Sequence, residues 1–143
     1  FWMLRGASTP VFYENLGKDA EYVVDSLAWN PSLNRPGNAE LVARYTARTG
    51  RPAGALLGPT YVCVQVIAEA FKIAGTLDKE KVNEAMTKVY LPNTVMGPVK
   101  FSEKGSPVLQ HVMNQWQDGK YVCVYPPEVA VSTIKLAPPW SSR

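Results

Sequence analysis

The amino-acid sequence predicts an α/β fold, with the α+β class as the alternative. Three observations predict it: one long apolar helix with both ends marked, further helices in the middle of the chain, and strand patterns towards both ends. The chain has 143 residues, of which 46% are hydrophobic and 19% are charged. This length and composition are sufficient for a real hydrophobic core.

The long helix is predicted over residues 58–75. Pro59 suits the first helical turn, where its missing N–H removes no hydrogen bond, and Gly75 suits the left-handed residue that ends a helix. The apolar stripe is expected to consist of Val64, Ile67, Phe71 and Ala74, widened by Val62, Val66 and Ala70. Such a helix must be covered by a sheet or by other helices. The segment 55–58 that precedes it is therefore expected to be buried or to line a cleft.

Three further helices are predicted from their end signals. Thr9 as N-cap and Pro10 as first residue begin a helix that ends near Gly17. Its inward side chains are expected to be Val11, Phe12 and Leu16. Asn38 is expected to cap a helix running to Thr49, and Asp78 to cap one that Pro92 ends.

Strand patterns make up most of the remainder. The strands are expected at residues 1–4, 22–29, 97–101, 111–116 and 120–125. Asp118-Gly119 predicts a two-residue hairpin between the last two strands. The stretch 30–37 holds two prolines and a glycine, which predict a loop or crossover, and the tail 126–143 is expected to lie extended over the surface.

Charge and composition exclude several classes of function. The net charge is only +3, and the Lys and Arg residues are scattered without interleaved aromatics, so nucleic acid is not an expected partner. No apolar run approaches the roughly 20 residues that span a bilayer. The chain begins inside an apolar run without a Met, which leads us to expect a fragment or a processed product.

The sequence offers no convincing catalytic or metal site. Cys63 and Cys123 are expected to be buried thiols, with a disulfide possible if the compartment is oxidising. With His111 as the single histidine, no metal and no cofactor are expected. Cys63 with His111 as its base is the strongest nucleophile candidate, but an apolar helical stripe disfavours the thiolate.

Two loops beside buried elements are the best candidates for binding. Arg5, Gly6, Ala7 and Ser8 follow the first strand, and residues 56–61 precede the long helix. In an open α/β sheet a ligand lies at the carboxyl ends of strands against helix N-termini, whose free N–H groups favour anions such as a carboxylate. The alternative is that Arg5 is an ordinary surface residue and Leu56 belongs to the core.

An ordered set of motifs resembles the C-terminal part of periplasmic solute-binding proteins, of the type that serves branched-chain amino acid ABC transporters. The motifs are Gly6-Ala7-Ser8-x-Pro10-x-Phe12, Leu16-Gly17-Lys18-Asp19-Ala20-Glu21, Trp29-x-Pro31, Tyr61-x-x-Val64-Gln65-x-x-x-Glu69-Ala70, Thr94-Val95-Met96-Gly97-Pro98-Val99-x-Phe101 and Gln115-Trp116-x-Asp118-Gly119-Lys120. Each motif alone is weak. Together they cover nearly the whole chain in the right order.

The resemblance implies part of a two-lobed fold of type I that closes on a small ligand like a hinge. Residues 1–29 and 111–143 would belong to the second lobe, and residues 30–110 to the first. Cys63 and Cys123 would then lie in different lobes, so no disulfide is expected between them. It further implies a periplasmic, non-enzymatic protein that binds a small solute and delivers it to a membrane permease. A missing N-terminal portion or a second copy is expected to cover the sheet edges. The alternatives are a ligand-sensing domain of a receptor and a small α/β enzyme.

By the same resemblance, ligand contacts are expected at Arg5, Gly6, Ala7, Leu56, Gly58 and Tyr61. Relatives place an acidic residue near position 5 to hold a ligand ammonium, whereas this chain has Arg5-Gly6. That difference favours an acidic or aromatic solute over an ordinary α-amino acid. Leu56 suits an apolar ligand side chain.

Overall fold

The computed structural model describes residues 6–139 and 141. The strand expected at residues 1–4 and the candidate contact Arg5 lie outside the described residues. The helices are α1 (Pro10–Leu16), α2 (Asn38–Thr49), α3 (Leu57–Ala74) and α4 (Lys79–Met86). The strands are β1 (Val24–Leu27), β2 (Tyr90–Leu91), β3 (Val99–Phe101), β4 (Pro107–Val108), β5 (Val112–Gln117) and β6 (Lys120–Tyr125).

Within the described residues, the strands form two antiparallel sheets of three strands each. The first has the order β1-β5-β6 and the second the order β2-β3-β4. In the first sheet Val24 pairs with Gln115 and Leu27 with Val112, so segments far apart in sequence become neighbours. The predicted hairpin at Asp118-Gly119 is confirmed, with positive φ at both residues as a two-residue turn of this kind requires.

A single hydrophobic core connects the two sheets. It consists of Trp29, Leu33, Val62, Val66, Ala70, Ala85, Val89, Val95, Met96, Val99, Val112 and Cys123. Trp29, which follows β1 by two residues, is fully buried among residues of the helices and of both sheets. The core therefore places the end of β1 against the start of α3. No single described helix is long and apolar enough to cross a membrane, although α3 and α4 together, bent by 113°, reach that length and composition.

The ends of α3 are where the sequence predicts them, but its buried face is not. Pro59 lies in the first turn, and Gly75 ends the helix with a φ of 64°. The buried residues are Gly58, Val62, Val66 and Ala70. The expected centre of the stripe is wrong, because Val64 is 64% and Ile67 is 47% exposed, whereas the residues expected to widen it, Val62, Val66 and Ala70, are buried as predicted. Since α3 is apolar almost all round, periodicity alone cannot decide which face packs.

Cys63 follows the same correction. It is exposed on α3, so the prediction of a buried thiol is wrong there and confirmed only for Cys123. Both cysteines are free, as expected.

The predicted inward face of α1 and the predicted N-cap of α2 need correction as well. Val11 and Leu16 are exposed rather than inward-facing, because α1 packs through Tyr13, whose ring stacks on Trp116 at 4.9 Å. Asn38 does not cap α2. The N-cap is Gly37, in the left-handed conformation, and the Asn38 side chain is buried.

The predicted N-cap of α4 is confirmed, but the helix ends earlier than predicted. Asp78 caps α4 by accepting a hydrogen bond from the Lys81 N–H (3.1 Å). The helix ends at Met86, before Pro92, since Val89 turns into the core and the short strand β2 follows.

Residues 133–139 of the tail lie extended along the first sheet, as predicted, whereas residues 126–129 form a turn. Gln115 donates to the Lys135 carbonyl (2.8 Å) and accepts from the Lys135 N–H (2.9 Å). Gln117 donates to the Thr133 carbonyl (2.8 Å). Because both glutamines are buried, these bonds contribute to satisfying the polar atoms of their amide groups.

The hairpin turn is held by one carboxylate, Glu21. It accepts hydrogen bonds from the backbone N–H groups of Asp118 (2.8 Å) and Gly119 (2.7 Å) and from the Tyr13 hydroxyl (3.0 Å). The Tyr13 bond to this carboxylate raises the pKa of Tyr13.

We expect Glu21→Ala to lower the free energy of unfolding by about 1–2 kcal/mol, because two turn N–H groups lose a charged acceptor. Urea denaturation measures the change. Glu14→Ala, on the exposed surface of α1, is the control and should change it by less than about 0.5 kcal/mol. Equal effects of the two substitutions would contradict the assigned role.

Candidate functional site

A cleft of about 510 Å³ lies between the end of β1 and the start of α3. Its lining residues are Asp25, Ser26, Leu27, Ala28, Trp29, Ala55, Leu56, Pro59 and His111. The cleft thus combines the carboxyl end of a strand with a helix N-terminus, the combination that the sequence analysis associates with binding.

Close contact between α3 and the indole of Trp29 shapes this cleft. A Cβ added at Gly58 would lie 2.4 Å from three atoms of the Trp29 side chain. Only glycine therefore lets the first turn of α3 approach the strand end so closely. Trp29 is in turn fixed by its indole N–H, which donates to Asn38 Oδ1 at 2.7 Å.

The lining of the cleft combines apolar and polar groups. Leu56, which is 74% exposed, adds aliphatic surface beside Ala55 and Pro59. Asp25, Ser26 and His111 add a carboxylate, a hydroxyl and an imidazole. Such a cleft can hold a small solute that has an apolar part and a polar part.

Asp25 has a buried side chain that accepts a hydrogen bond from Tyr121. The Tyr121 hydroxyl donates to Asp25 Oδ2 at 3.3 Å. Burial, and then the charge of Asp25, raises the pKa of Tyr121 far above its ordinary value. Tyr121 therefore remains a hydrogen-bond donor to Asp25 across the whole physiological range of pH.

The loop that leaves the cleft, residues 30–37, is tied down by buried amides. Asn38 Nδ2 donates to the carbonyls of Leu33 (2.9 Å) and Pro31 (3.0 Å). Asn30 Nδ2 donates to Asn114 Oδ1 at 2.9 Å. The loop is thus bonded both to α2 and to β5.

Arg35 connects the same loop to the segment before β5. Its Nη2 donates to Gln110 Oε1 (3.2 Å), and a Cβ at Gly97 would lie 2.8 Å from its Nη1. Burial lowers the pKa of Arg35. The loop 30–37 and the segment before β5 are therefore in direct contact.

The predicted contact residues do not all meet in the cleft. Leu56 lines the cleft directly. Gly58 does not line it but packs against Trp29, which does. Tyr61 instead lines a second groove of about 460 Å³ between α2 and α3. Ala7 is buried beside Trp116, whose indole N–H donates to its carbonyl at 2.7 Å, and the neighbouring Gly6 is exposed. The role of these residues in binding remains a prediction.

Sequence reasoning missed three polar residues of the cleft: Asp25, Ser26 and His111. The available signal was the pair Asp25-Ser26 inside an otherwise apolar strand. His111 carried no such signal, because only the pairing of Leu27 with Val112 brings it to the end of β1.

Comparison with known proteins gives a consistent picture. A family model described as periplasmic binding protein matches residues 6–120. Leu/Ile/Val-binding protein homolog 1 of Brucella suis is 39% identical over 92 residues, which are 62% of this chain and 24% of that protein. Leu/Ile/Val-binding protein homolog 7 of Brucella abortus is 35% identical over 125 residues, 82% of this chain and 31% of that protein.

The fold is also similar to that of a solved structure. The leucine binding protein LivK from Thermotoga maritima superimposes with a TM-score of 0.74 at 25% identity, covering 87% of this chain and 35% of that one. The matches to the two Brucella proteins cover 24% and 31% of their lengths. The chain therefore spans only about a quarter to a third of the relatives that it matches.

Proposed function

The chain belongs to the periplasmic binding protein family, and on this basis we propose that it is part of the substrate-binding component of an ABC importer. That component binds a small solute outside the cytoplasm, in the periplasm, and delivers it to a membrane permease. It performs no chemistry of its own. The observation that carries the proposal is the cleft, whose lining combines the aliphatic Leu56 with the polar residues Asp25, Ser26 and His111.

We further propose that binding is accompanied by closure of two lobes. Residues 1–29 and 111–143 would form one lobe and residues 30–110 the other. Support comes from the sheets, because β1, β5 and β6 form one sheet, whereas β2, β3 and β4 form the other. The loop 30–37 would then be one crossing between the lobes.

The proposed ligand is an amino acid, or an amide or aromatic acid of similar size. The names of the Brucella relatives, which are Leu/Ile/Val-binding protein homologues, support an apolar amino acid. The aliphatic surface of Leu56 supports an apolar ligand side chain. Arg5, Gly6 and Ala7 are proposed to complete the site from the other lobe.

The test is ligand-induced thermal stabilisation of the product of the complete gene that encodes this sequence. A panel of apolar amino acids, their amides and benzoic acids is added at millimolar concentration, and the thermal midpoint is measured. At least one compound is expected to raise it, since a ligand that binds only the folded state stabilises it. If no compound in the panel raises the midpoint, the proposal is refuted.

Leu56→Asp is expected to weaken binding of the active compound by at least about tenfold, because the ligand loses an aliphatic contact and meets a charge. The matched control is Leu77→Asp, an exposed leucine after α3 that does not line the cleft. Calorimetric titration of both variants gives the dissociation constants. Equal affinities would exclude the cleft as the binding site.

A further inference from the structure

Asp25 is a buried carboxylate whose hydrogen bonding is incomplete. The residue is 1% exposed, and in the described part of the chain its side chain accepts one hydrogen bond, from the Tyr121 hydroxyl to Oδ2. At 3.3 Å this bond is longer than the roughly 2.5–3.0 Å usual between a hydroxyl and an oxygen acceptor. Oδ1 has no partner among the described residues and is not sealed from solvent, so it opens on the cleft that Asp25 lines.

The charge of Asp25 is also uncompensated. None of the ion pairs within residues 6–139 and 141 involves it. No Lys or Arg is among the described residues that line the cleft. Buried carboxylates in proteins are normally paired with a cation or bonded by several donors. Because the sheet supplies Asp25 with one long hydrogen bond, the group that completes its pairing must come from the cleft.

The surroundings of Asp25 favour a positively charged group in the cleft. Leu27, Trp29 and Leu56 line the same cleft and make much of its surface apolar. The attraction between opposite charges grows as the polarity of their surroundings falls. An ammonium group, which has three N–H donors and a positive charge, therefore complements Asp25, whereas a carboxylate in the same place would be repelled.

We propose that Asp25 is the residue that selects the solute in this cleft, by accepting hydrogen bonds from a protonated amino group. The solute is a small primary amine with an apolar body, whether or not it also carries an acid group. The inference rests on the proposed function, because it adds a residue to the same cleft. Asp25 is not among the contacts that the family resemblance implies, and the position near which relatives hold an ammonium is here occupied by Arg5.

The inference decides between solute classes that the proposed function leaves open. The expectation of an acidic solute depends on Arg5, which lies outside the described residues. Asp25 carries the opposite charge and lines the cleft itself. A solute with a carboxylate but no amino group, such as benzoic acid, is therefore disfavoured.

The first sheet holds the Asp25 carboxylate in place. Asp25 lies opposite Asn114 of β5, and Tyr121 belongs to β6, so all three strands contribute. The Tyr121 ring packs on Trp116 at 5.2 Å between centroids, and Asn114 Oδ1 accepts a hydrogen bond from the buried Asn30. A carboxylate fixed on a sheet needs little reorganisation when a ligand binds, which favours affinity.

The test uses the product of the complete gene that encodes this sequence and two matched pairs of probes, leucine with isocaproate and phenylalanine with hydrocinnamate. Each acid is its partner amino acid without the amino group, so the ratio of the two dissociation constants measures the preference for the amino group. Calorimetric titration is expected to give a preference of about thirtyfold or more in a pair that binds, because the acid leaves Asp25 buried and unpaired.

Two substitutions assign this preference to Asp25. Asp25→Asn keeps the size of the side chain and an acceptor for Tyr121 but removes the charge, and it should lower the preference by about tenfold or more. Asp19→Asn, the same change at an exposed position outside the cleft, should leave the preference within about twofold of the parent value. A merely structural role of Asp25 would alter stability, or both affinities alike, and not their ratio.

Two results would overturn the inference and leave the proposed function intact. The parent protein binds the acid as tightly as its partner amino acid, or Asp25→Asn retains the preference of the parent. The first result needs no variant, so it decides the matter even where Asp25→Asn does not fold. Binding of none of the four probes, while a benzoic acid raises the thermal midpoint, would equally refute the role of Asp25. A panel without any response refutes the proposed function itself, and the role of Asp25 with it.

Discussion

Gly58→Ala is expected to lower the free energy of unfolding by about 2 kcal/mol. An alanine inside a helix normally gains about 1 kcal/mol over glycine. Here its methyl group would lie 2.4 Å from three atoms of the Trp29 side chain, which is fully buried and hydrogen-bonded to Asn38. Overpacking of this kind costs about 3 kcal/mol, so the clash outweighs the helical gain.

A matched control is available four residues earlier. Gly54 has no atom within 4 Å of its added Cβ and does not need a positive φ. Gly54→Ala should therefore be neutral or stabilise by up to about 1 kcal/mol, through reduced freedom of the unfolded chain. Urea denaturation of both variants makes the comparison, and equal effects would show that the contact with Trp29 is not tight.

The contact can also be tested from its other side. In a Trp29→Leu background the smaller side chain leaves room for the added methyl group. Gly58→Ala should then cost markedly less than in the parent, a coupling of at least about 1 kcal/mol in the double-mutant cycle. Additive effects would argue against a direct clash.

The sequence predicts well what neighbouring residues decide. The bounds of α3, the cap of α4 and the Asp118-Gly119 turn follow from Gly75, Asp78 and the turn pair themselves. Each of these signals acts within a few residues, so no knowledge of the rest of the fold is needed.

The errors come from contacts between distant segments. The exposure of Cys63 depends on which face of α3 meets the core, and that face includes Gly58, which packs on Trp29, far from it in sequence. His111 reaches the cleft only through the pairing of β1 with β5, across more than 80 residues. Among the site residues, Leu56 was predictable because it lies directly before the helix start.

The same residues that shape the cleft also fix the loop between the sheets. Trp29 forms part of the cleft wall, and its indole N–H is bonded to Asn38, whose amide holds the loop carbonyls. A change at Asn38 is therefore expected to affect both the stability of the loop and the position of Trp29 in the cleft wall.

Asn38→Leu is expected to lower the free energy of unfolding by about 3 kcal/mol. The substitution removes the acceptor for the Trp29 indole and the donor for the carbonyls of Pro31 and Leu33. Each buried polar group left without a partner costs about 1–3 kcal/mol. Asn83→Leu, at an exposed position of α4, is the control and should change stability by less than about 0.5 kcal/mol.

Asn38→Asp separates the network from side-chain volume. It keeps an acceptor for Trp29 but places a carboxylate against the carbonyl oxygens of Pro31 and Leu33. Burial there raises the pKa of the introduced carboxyl above its unfolded value, so the charged form destabilises at neutral pH and the deficit shrinks as the pH falls through the folded-state pKa. Thermal midpoints of the aspartate and leucine variants should therefore converge or cross on acidification. A pH-independent gap between them would mean that Asn38 acts by packing, and that the loop is not held by its amide.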